Sequence, residues 1–192
     1  MYRSHIKPTC DFLFSVLGLI AMSWLFLAIL FFYWITKNSP IFFRQERIGF
    51  NNKTFWIVKF RTLSANENLP LEKRTFALGQ FLRKTSFDEF PQLWNVLKGD
   101  MSLIGPRPLP AYYLPRFSQK QLVRHRLKPG ITGLTQVMGR HRLTWHQKFK
   151  YDRFYVSKVT YLLDALIIWK TLQLIFSNQK DYSLSEVEFT GR

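Results

Sequence analysis

The hydrophobic pattern is dominated by residues 12–36, FLFSVLGLIAMSWLFLAILFFYWIT, in which no position is charged. Its 25 residues are enough to cross a hydrocarbon core of about 30 Å as a helix. No polar face interrupts the run, which argues against a buried core helix. No small-residue cleavage site follows it, as a secretory signal would require; Lys37-Asn38-Ser39-Pro40 comes next. Arg3, His5 and Lys7 precede the run, and Lys37, Arg44, Arg47, Lys53, Lys59 and Arg61 follow it. The larger basic cluster predicts a cytoplasmic body. A re-entrant hairpin would place both basic flanks on that side, and a straight span would leave Arg3 and Lys7 outside. No proline lies within the run to force a break.

Beyond the run, Ile41-Phe42-Phe43 and Phe55-Trp56-Ile57-Val58 read as strands flanking a hairpin turn at Gly49–Lys53. Residues 64–74 are polar and predict a loop. Residues 75–84 and 91–98 predict short helices. Gly99-Asp100 and Gly105-Pro106-Arg107-Pro108 are turn signals. Residues 110–127 mix Tyr112, Tyr113 and Phe117 with Arg116, Lys120, Arg124 and Arg126, the pattern of an interfacial helix. Lys128–Gly133 reads as another rigid turn, and residues 145–158 as a helix. Residues 160–176 predict an amphipathic helix, packed on the core or lying on a membrane. The tail from Ser177 is polar and predicts loose ordering.

Composition narrows the class of partner. The formal net charge is +16, which calls for nucleic acid, an anionic leaflet or a phosphorylated substrate. Aromatic residues make up 17% of the chain, many beside Lys or Arg, which suits a membrane interface. The single cysteine, Cys10, excludes an intramolecular disulfide. Zinc-type Cys/His spacing, a P-loop and a Gly-x-Gly-x-x-Gly fingerprint are all lacking.

The acidic pair Asp88-Glu89 stands between Arg83-Lys84 and Arg107 in a strongly basic chain. Carboxylates among arginines suit a site for phosphate and a metal: the Asp attacks or coordinates, the Glu holds a divalent cation, and the arginines neutralise a diphosphate. Ser86-Phe87-Asp88-Glu89 also fits a helix capping box, in which Glu89 merely satisfies a backbone N–H. Arg107, between two prolines, suits a preorganised bidentate phosphate contact or a solvated turn. Lys59-Phe60-Arg61 places two cations on a strand, for phosphate or for an edge charge pair. Gly139-Arg140-His141-Arg142 suits a nucleotide contact or a solvated face.

Taken in order, Pro40–Gly49, Lys59–Thr62, Leu82–Glu89, Asn95–Ser102, Gly105–Pro108, Pro129–Gly133 and Gly139-Arg140 resemble the monotopic phosphoglycosyl transferases. These are small bacterial enzymes that initiate glycan assembly on a polyprenyl phosphate. The short chain is similar to minimal members such as the diacetylbacillosamine-1-phosphate transferases. The resemblance implies a mixed α/β fold with a membrane-embedded, re-entrant N-terminal helix over 1–38. A catalytic domain over 39–176 with a small sheet and interfacial helices follows, then a tail over 177–192. It also implies that Asp88 attacks a UDP-sugar, with an N-acetylated sugar expected, to form a covalent intermediate that polyprenyl phosphate resolves. Glu89 would hold Mg²⁺, and Arg83, Arg107, Lys59, Arg61 and Arg140 would bind phosphate or substrate. The expected location is the cytoplasmic face of a bacterial inner membrane, among anionic lipids, with no nucleic acid partner. The contrasting reading is a non-catalytic basic scaffold on anionic lipid or nucleic acid. Four places depart from the family pattern: Ser23-Trp24 replaces Ser-Pro, Lys7-Pro8 replaces Lys-Arg, Leu134-Thr135-Gln136 closes the turn motif, and His141 follows Gly139-Arg140.

Overall fold

A computed structural model describes residues 1–36, 40–66, 68–139, 142–177 and 188–191. The architecture is mixed α/β: many helices around two small two-stranded sheets. After a π turn at Tyr2–Ile6, helix α1 spans Lys7–Ala21 and α2 spans Ser23–Thr36. The apolar run is therefore not one straight helix. The two arms meet at Met22 with a bend of 57°. No proline is needed: Met22 leaves helical geometry, and Ser23 Oγ donates to the Ile20 carbonyl at 2.9 Å. A hydroxyl that captures a carbonyl inside the ladder is a recognised cause of helix bending.

The polarity of α1 is inverted. Lys7, Asp11 and Ser15, spaced four apart, are buried against the body, while Phe12, Leu13, Phe14 and Leu17 are exposed. Asp11 accepts from Ser102 Oγ at 2.6 Å and from Leu103 N at 3.1 Å. Lys7 Nζ stands 2.9 Å from Asp164 Oδ2. Each buried charge thus has a partner, as burial demands. The far arm is anchored too: Ile29 and Tyr33 of α2 pack with Phe60 and Leu82.

Strand β1, Phe42–Ile48, pairs antiparallel with β2, Thr54–Phe60. The predicted hairpin turn is present, with Asn51 and Asn52 at positive φ, where Asn is well tolerated. Helix α3 covers Ala77–Thr85 and α4 covers Gln92–Leu97, as the pattern predicted. Strand β3, Ser102–Ile104, runs parallel to β4, Gly130–Thr132. The expected rigid turn at 128–133 therefore contains a strand.

The interfacial helix expected over 110–127 does not form. A 3₁₀ turn at Ala111–Arg116, the four-residue helix α5 (Gln119–Leu122) and a second 3₁₀ turn at Val123–Arg126 replace it. Pro110 and Pro115 interrupt the ladder, and Tyr113, Arg124 and His125 turn inward rather than toward an interface. Helix α6 spans Leu134–Met138, α7 spans Trp145–Ser157 behind a capping box from Thr144 and Gln147, and α8 spans Tyr161–Phe176. Of the tail, Ser177 and 188–191 are described. There Phe189 is fully buried among Tyr113, Phe117, Trp145 and Phe149, contrary to the loose ordering expected of that stretch.

Candidate active site

The acidic pair sits in a 3₁₀ turn, Phe87–Glu89, between α3 and α4. The capping-box reading of Ser86 fails. Ser86 is left-handed at φ 60° and makes no cap hydrogen bond, and the Glu89 side chain turns instead to cations. Two contacts fix this turn against β2. Asn95 of α4 donates from Nδ2 to the Trp56 carbonyl at 2.8 Å, and its Oδ1 accepts from Val58 N at 3.4 Å. Helix α3 approaches so closely at Gly79 that a Cβ there would lie 2.3 Å from the Thr62 carbonyl oxygen.

That packing sets Lys59 opposite Glu89, with Nζ 2.5 Å from Oε1. Arg107 Nη1 approaches the same oxygen at 3.6 Å. Arg83, in the last turn of α3, donates from Nε to Thr62 Oγ1 at 2.7 Å. Gly105 positions the Arg107 turn. The backbone crosses 128–133 so tightly that a Cβ on Gly105 would meet the Lys128 carbonyl oxygen at 2.4 Å.

The two carboxyls are driven apart electrostatically. Burial and the neighbouring Glu89 charge push Asp88 up to about 6, against the pull of Lys59, Arg107 and Arg83. Burial would also raise Glu89, but the Lys59 and Arg107 charges and the Lys59 hydrogen bond prevail and hold it at about 2. Burial and the Arg107 charge lower Lys59, while Glu89 and Asp88 oppose that change. Glu89 is thus held as an anion while Asp88 is pushed up, a separation of two neighbouring carboxyls by their environments.

The dyad opens into a cleft of about 670 Å³ lined by Lys59, Arg83, Asp88, Glu89 and Arg107. Arg61 lies beside the cleft rather than in its lining, with its guanidinium 5.9 Å from the Phe43 ring centroid. Arg140 falls outside the described residues. Sequence patterns did not single out Arg47, Arg124, Lys148 or Asp152 as site residues, yet all four line the cleft. The available signal was a polar pair, Lys148 and Asp152, on the buried stripe of α7 beside Phe149, Tyr155 and Val156.

Other elements complete the lining: Met22 at the bend, Leu93 of α4, and Thr171 and Ile175 of α8. Among the described residues no group of three or more His, Cys, Asp or Glu forms a metal cage. Asp88 and Glu89 nevertheless suit Mg²⁺, which takes one or two carboxylates plus phosphate oxygens and water. Lys59 and Arg107 both engage Glu89 Oε1, and Asp88 and Glu89 both line the cleft.

Comparison with known proteins places this geometry in a family. Residues 2–178 match the bacterial sugar transferase model. EpsL of Bacillus subtilis, an uncharacterized sugar transferase, is 43% identical, with 80% of each chain covered. The exopolysaccharide production protein ExoY of Sinorhizobium fredii is 32% identical over 92% of this chain and 88% of its own length. The undecaprenyl-phosphate galactose phosphotransferase of Salmonella typhimurium is 34% identical over 92% of this chain but only 42% of its own. The chain belongs to the bacterial sugar transferase family, and it is an enzyme of the transferase class.

Proposed function

We propose that the protein transfers a sugar 1-phosphate from a UDP-sugar to a polyprenyl phosphate at a membrane surface. The observation that carries this reading is the dyad itself: Asp88, pushed up to about 6, beside a Glu held ionised by Lys59 and Arg107, all four lining one cleft. The Salmonella relative, named for undecaprenyl phosphate and galactose, supports the reaction class.

The carboxylate of Asp88 attacks the β-phosphorus of the donor. The bond from that phosphorus to the bridging oxygen breaks, and UMP leaves with the electron pair. A sugar-phosphate ester of Asp88 remains. A phosphate oxygen of the polyprenyl acceptor then attacks the same phosphorus, releasing the Asp88 carboxylate and forming polyprenyl-diphosphate-sugar. Splitting the transfer this way replaces one difficult step by two easier ones. Arg107 and Arg83 neutralise charge on the equatorial oxygens, and Lys59 keeps Glu89 ionised and in place. Mg²⁺ held by Glu89 and Asp88 would supply further neutralisation of the diphosphate.

Membrane attachment follows from polarity. The outer faces of α1, α2 and α8 carry Leu17, Trp24, Phe31, Trp34, Trp169 and Phe176, all exposed. An apolar surface of that extent calls for lipid or another apolar partner. Arg3 donates to the Arg126 carbonyl at 2.8 Å, and Tyr33 donates to the Arg61 carbonyl, so both ends of the bent pair return to the catalytic body. These contacts support a re-entrant element that enters and leaves by one face, and the basic flanks of the run support the cytoplasmic face as that one. Met22 and Ile175 bring this membrane-facing side to the cleft, where an acceptor held in lipid can reach Asp88.

The test is UMP release from detergent-solubilised protein given Mg²⁺, polyprenyl phosphate and a panel of UDP-sugars, N-acetylated ones included. UMP from a donor, absent with Asp88→Asn, supports the reading. Equal UMP from the variant refutes it.

A further inference from the structure

Arg124 is 3% exposed and lies in the turn between α5 and β4. Its Nε donates to Asp152 Oδ2 at 2.9 Å, and its Nη2 reaches the same oxygen at 2.8 Å. Nη2 also donates to the backbone carbonyl of Arg107 at 2.7 Å. Asp152 Oδ1 accepts from Thr135 Oγ1 at 2.6 Å. One buried network thus joins α6, α7 and the Arg107 turn along the wall of the cleft.

As a source of stability this network is poor. Two charges lose their hydration, and a buried ion pair seldom outperforms apolar residues of the same volume. Arg124 Nη1 is buried with no hydrogen-bond partner, a further cost. What the guanidinium does that an apolar side chain cannot is hold a carbonyl. Pro106 and Pro108 flank Arg107 and offer no N–H, so carbonyls are the handles left on the flanking backbone. Arg47 takes the next one, donating from Nη1 to the Pro108 carbonyl at 2.9 Å.

We infer that Arg124 and Asp152 are a positioning pair for Arg107: by gripping its carbonyl they set its guanidinium against Glu89 and against the donor diphosphate. This inference rests on the phosphoglycosyl transfer proposed above. Both residues line the cleft, with the Arg124 guanidinium committed to Asp152 and to the Arg107 carbonyl. Lys59, Glu89, Arg83 and Arg107 line the cleft with Asp88, and Arg107 is the member of that set whose backbone the pair holds.

The test uses full-length protein in detergent with Arg124→Met/Asp152→Leu, which replaces the pair by apolar side chains, and with Arg124→Lys, which keeps the charge but loses the fork. Both are expected to fold and to lose about 100-fold in kcat, the scale of a small misplacement of a catalytic group. A second readout needs no turnover. The affinity for UDP, a diphosphate read by calorimetry, should fall about tenfold in both variants, because Arg107 is no longer held against the diphosphate. If a folded variant keeps wild-type kcat and wild-type UDP affinity, the positioning role is wrong. If the double variant unfolds while Arg124→Lys matches wild type in both readouts, the pair is structural only and the inference falls. Wild-type protein that releases no UMP would refute the transfer reaction, and UDP affinity would still decide the positioning claim.

Discussion

Lys59 Nζ lies 2.5 Å from Glu89 Oε1, and through that contact a β-hairpin holds the acidic turn between α3 and α4. The pair keeps Glu89 ionised and thereby shapes the titration of Asp88. Lys59→Ala removes the cation and leaves a buried carboxylate partly uncompensated. We expect a loss of roughly 3 kcal/mol, the lower end for breaking such a pair because both groups retain some solvent contact. Activity at pH 7.5 should fall by about 10²-fold or more, as when one preorganised electrostatic contact is lost. Thermal unfolding and UMP release measure the two effects separately. A variant with wild-type activity would show that Lys59 takes no part in the chemistry.

The nucleophile must be ionised, and Asp88 is pushed up to about 6. The pH profile of kcat/KM should therefore have an acid limb centred near pH 6, falling about tenfold per unit below it. A limb at the ordinary carboxylate value would contradict the environment described for Asp88.

The same shift has a stability consequence of opposite sign. Raising Asp88 from 3.8 to about 6 favours its neutral form, so its stabilising contribution is complete below pH 3.8 and is lost as pH rises through 6. Asp88→Asn should consequently raise stability at pH 8 by up to about 2 kcal/mol and change it little at pH 4. Melting temperatures of both proteins at the two pH values test this. Equal or lower stability of the variant at pH 8 would mean that Asp88 is not strained as an anion.

The buried Phe189 ring closes the aromatic cluster behind Trp145 and Phe149, two residues of the cleft wall. Phe189→Ala should cost about 3 kcal/mol through the cavity it leaves. A wild-type melting curve would show that the docked tail adds nothing to the body.

Much of the architecture was legible in local pattern. The hairpin at Phe42–Phe60, the helices near 77–85, 92–97 and 145–157, and α8 all follow from periodicity and turn residues that act within a few positions. The failures share a cause. Residues 110–127 carry basic and aromatic residues at plausible interfacial spacing, but Arg124 and His125 are buried because Asp152 and Asn52, distant in sequence, receive them. Strand β4 hides among turn residues because its partner β3 lies 28 positions earlier in register. The bend at Met22 depends on one hydroxyl, which no proline announces. At the site, the dyad and Arg107 stand out as charged residues out of place among their neighbours. Arg124 and Asp152 do not, since they are meaningful only as a pair.

Re-entrant topology makes a separate prediction. With Cys10 replaced, a cysteine at Ser4 should react with a membrane-impermeant reagent from the side that carries the catalytic body, because Arg3 reaches Arg126. Labelling from the opposite side alone would mean that residues 12–36 cross the bilayer.

The central claim is that Asp88 carries the sugar phosphate, and its most direct test is peptide mass spectrometry after incubation with a productive UDP-sugar and Mg²⁺ but no acceptor. UMP and a sugar-phosphate adduct on the Asp88 peptide are expected, cleared by polyprenyl phosphate and absent from Asp88→Asn. Turnover only when both substrates are present, with no adduct at any time and an active Asp88→Asn enzyme, would contradict it.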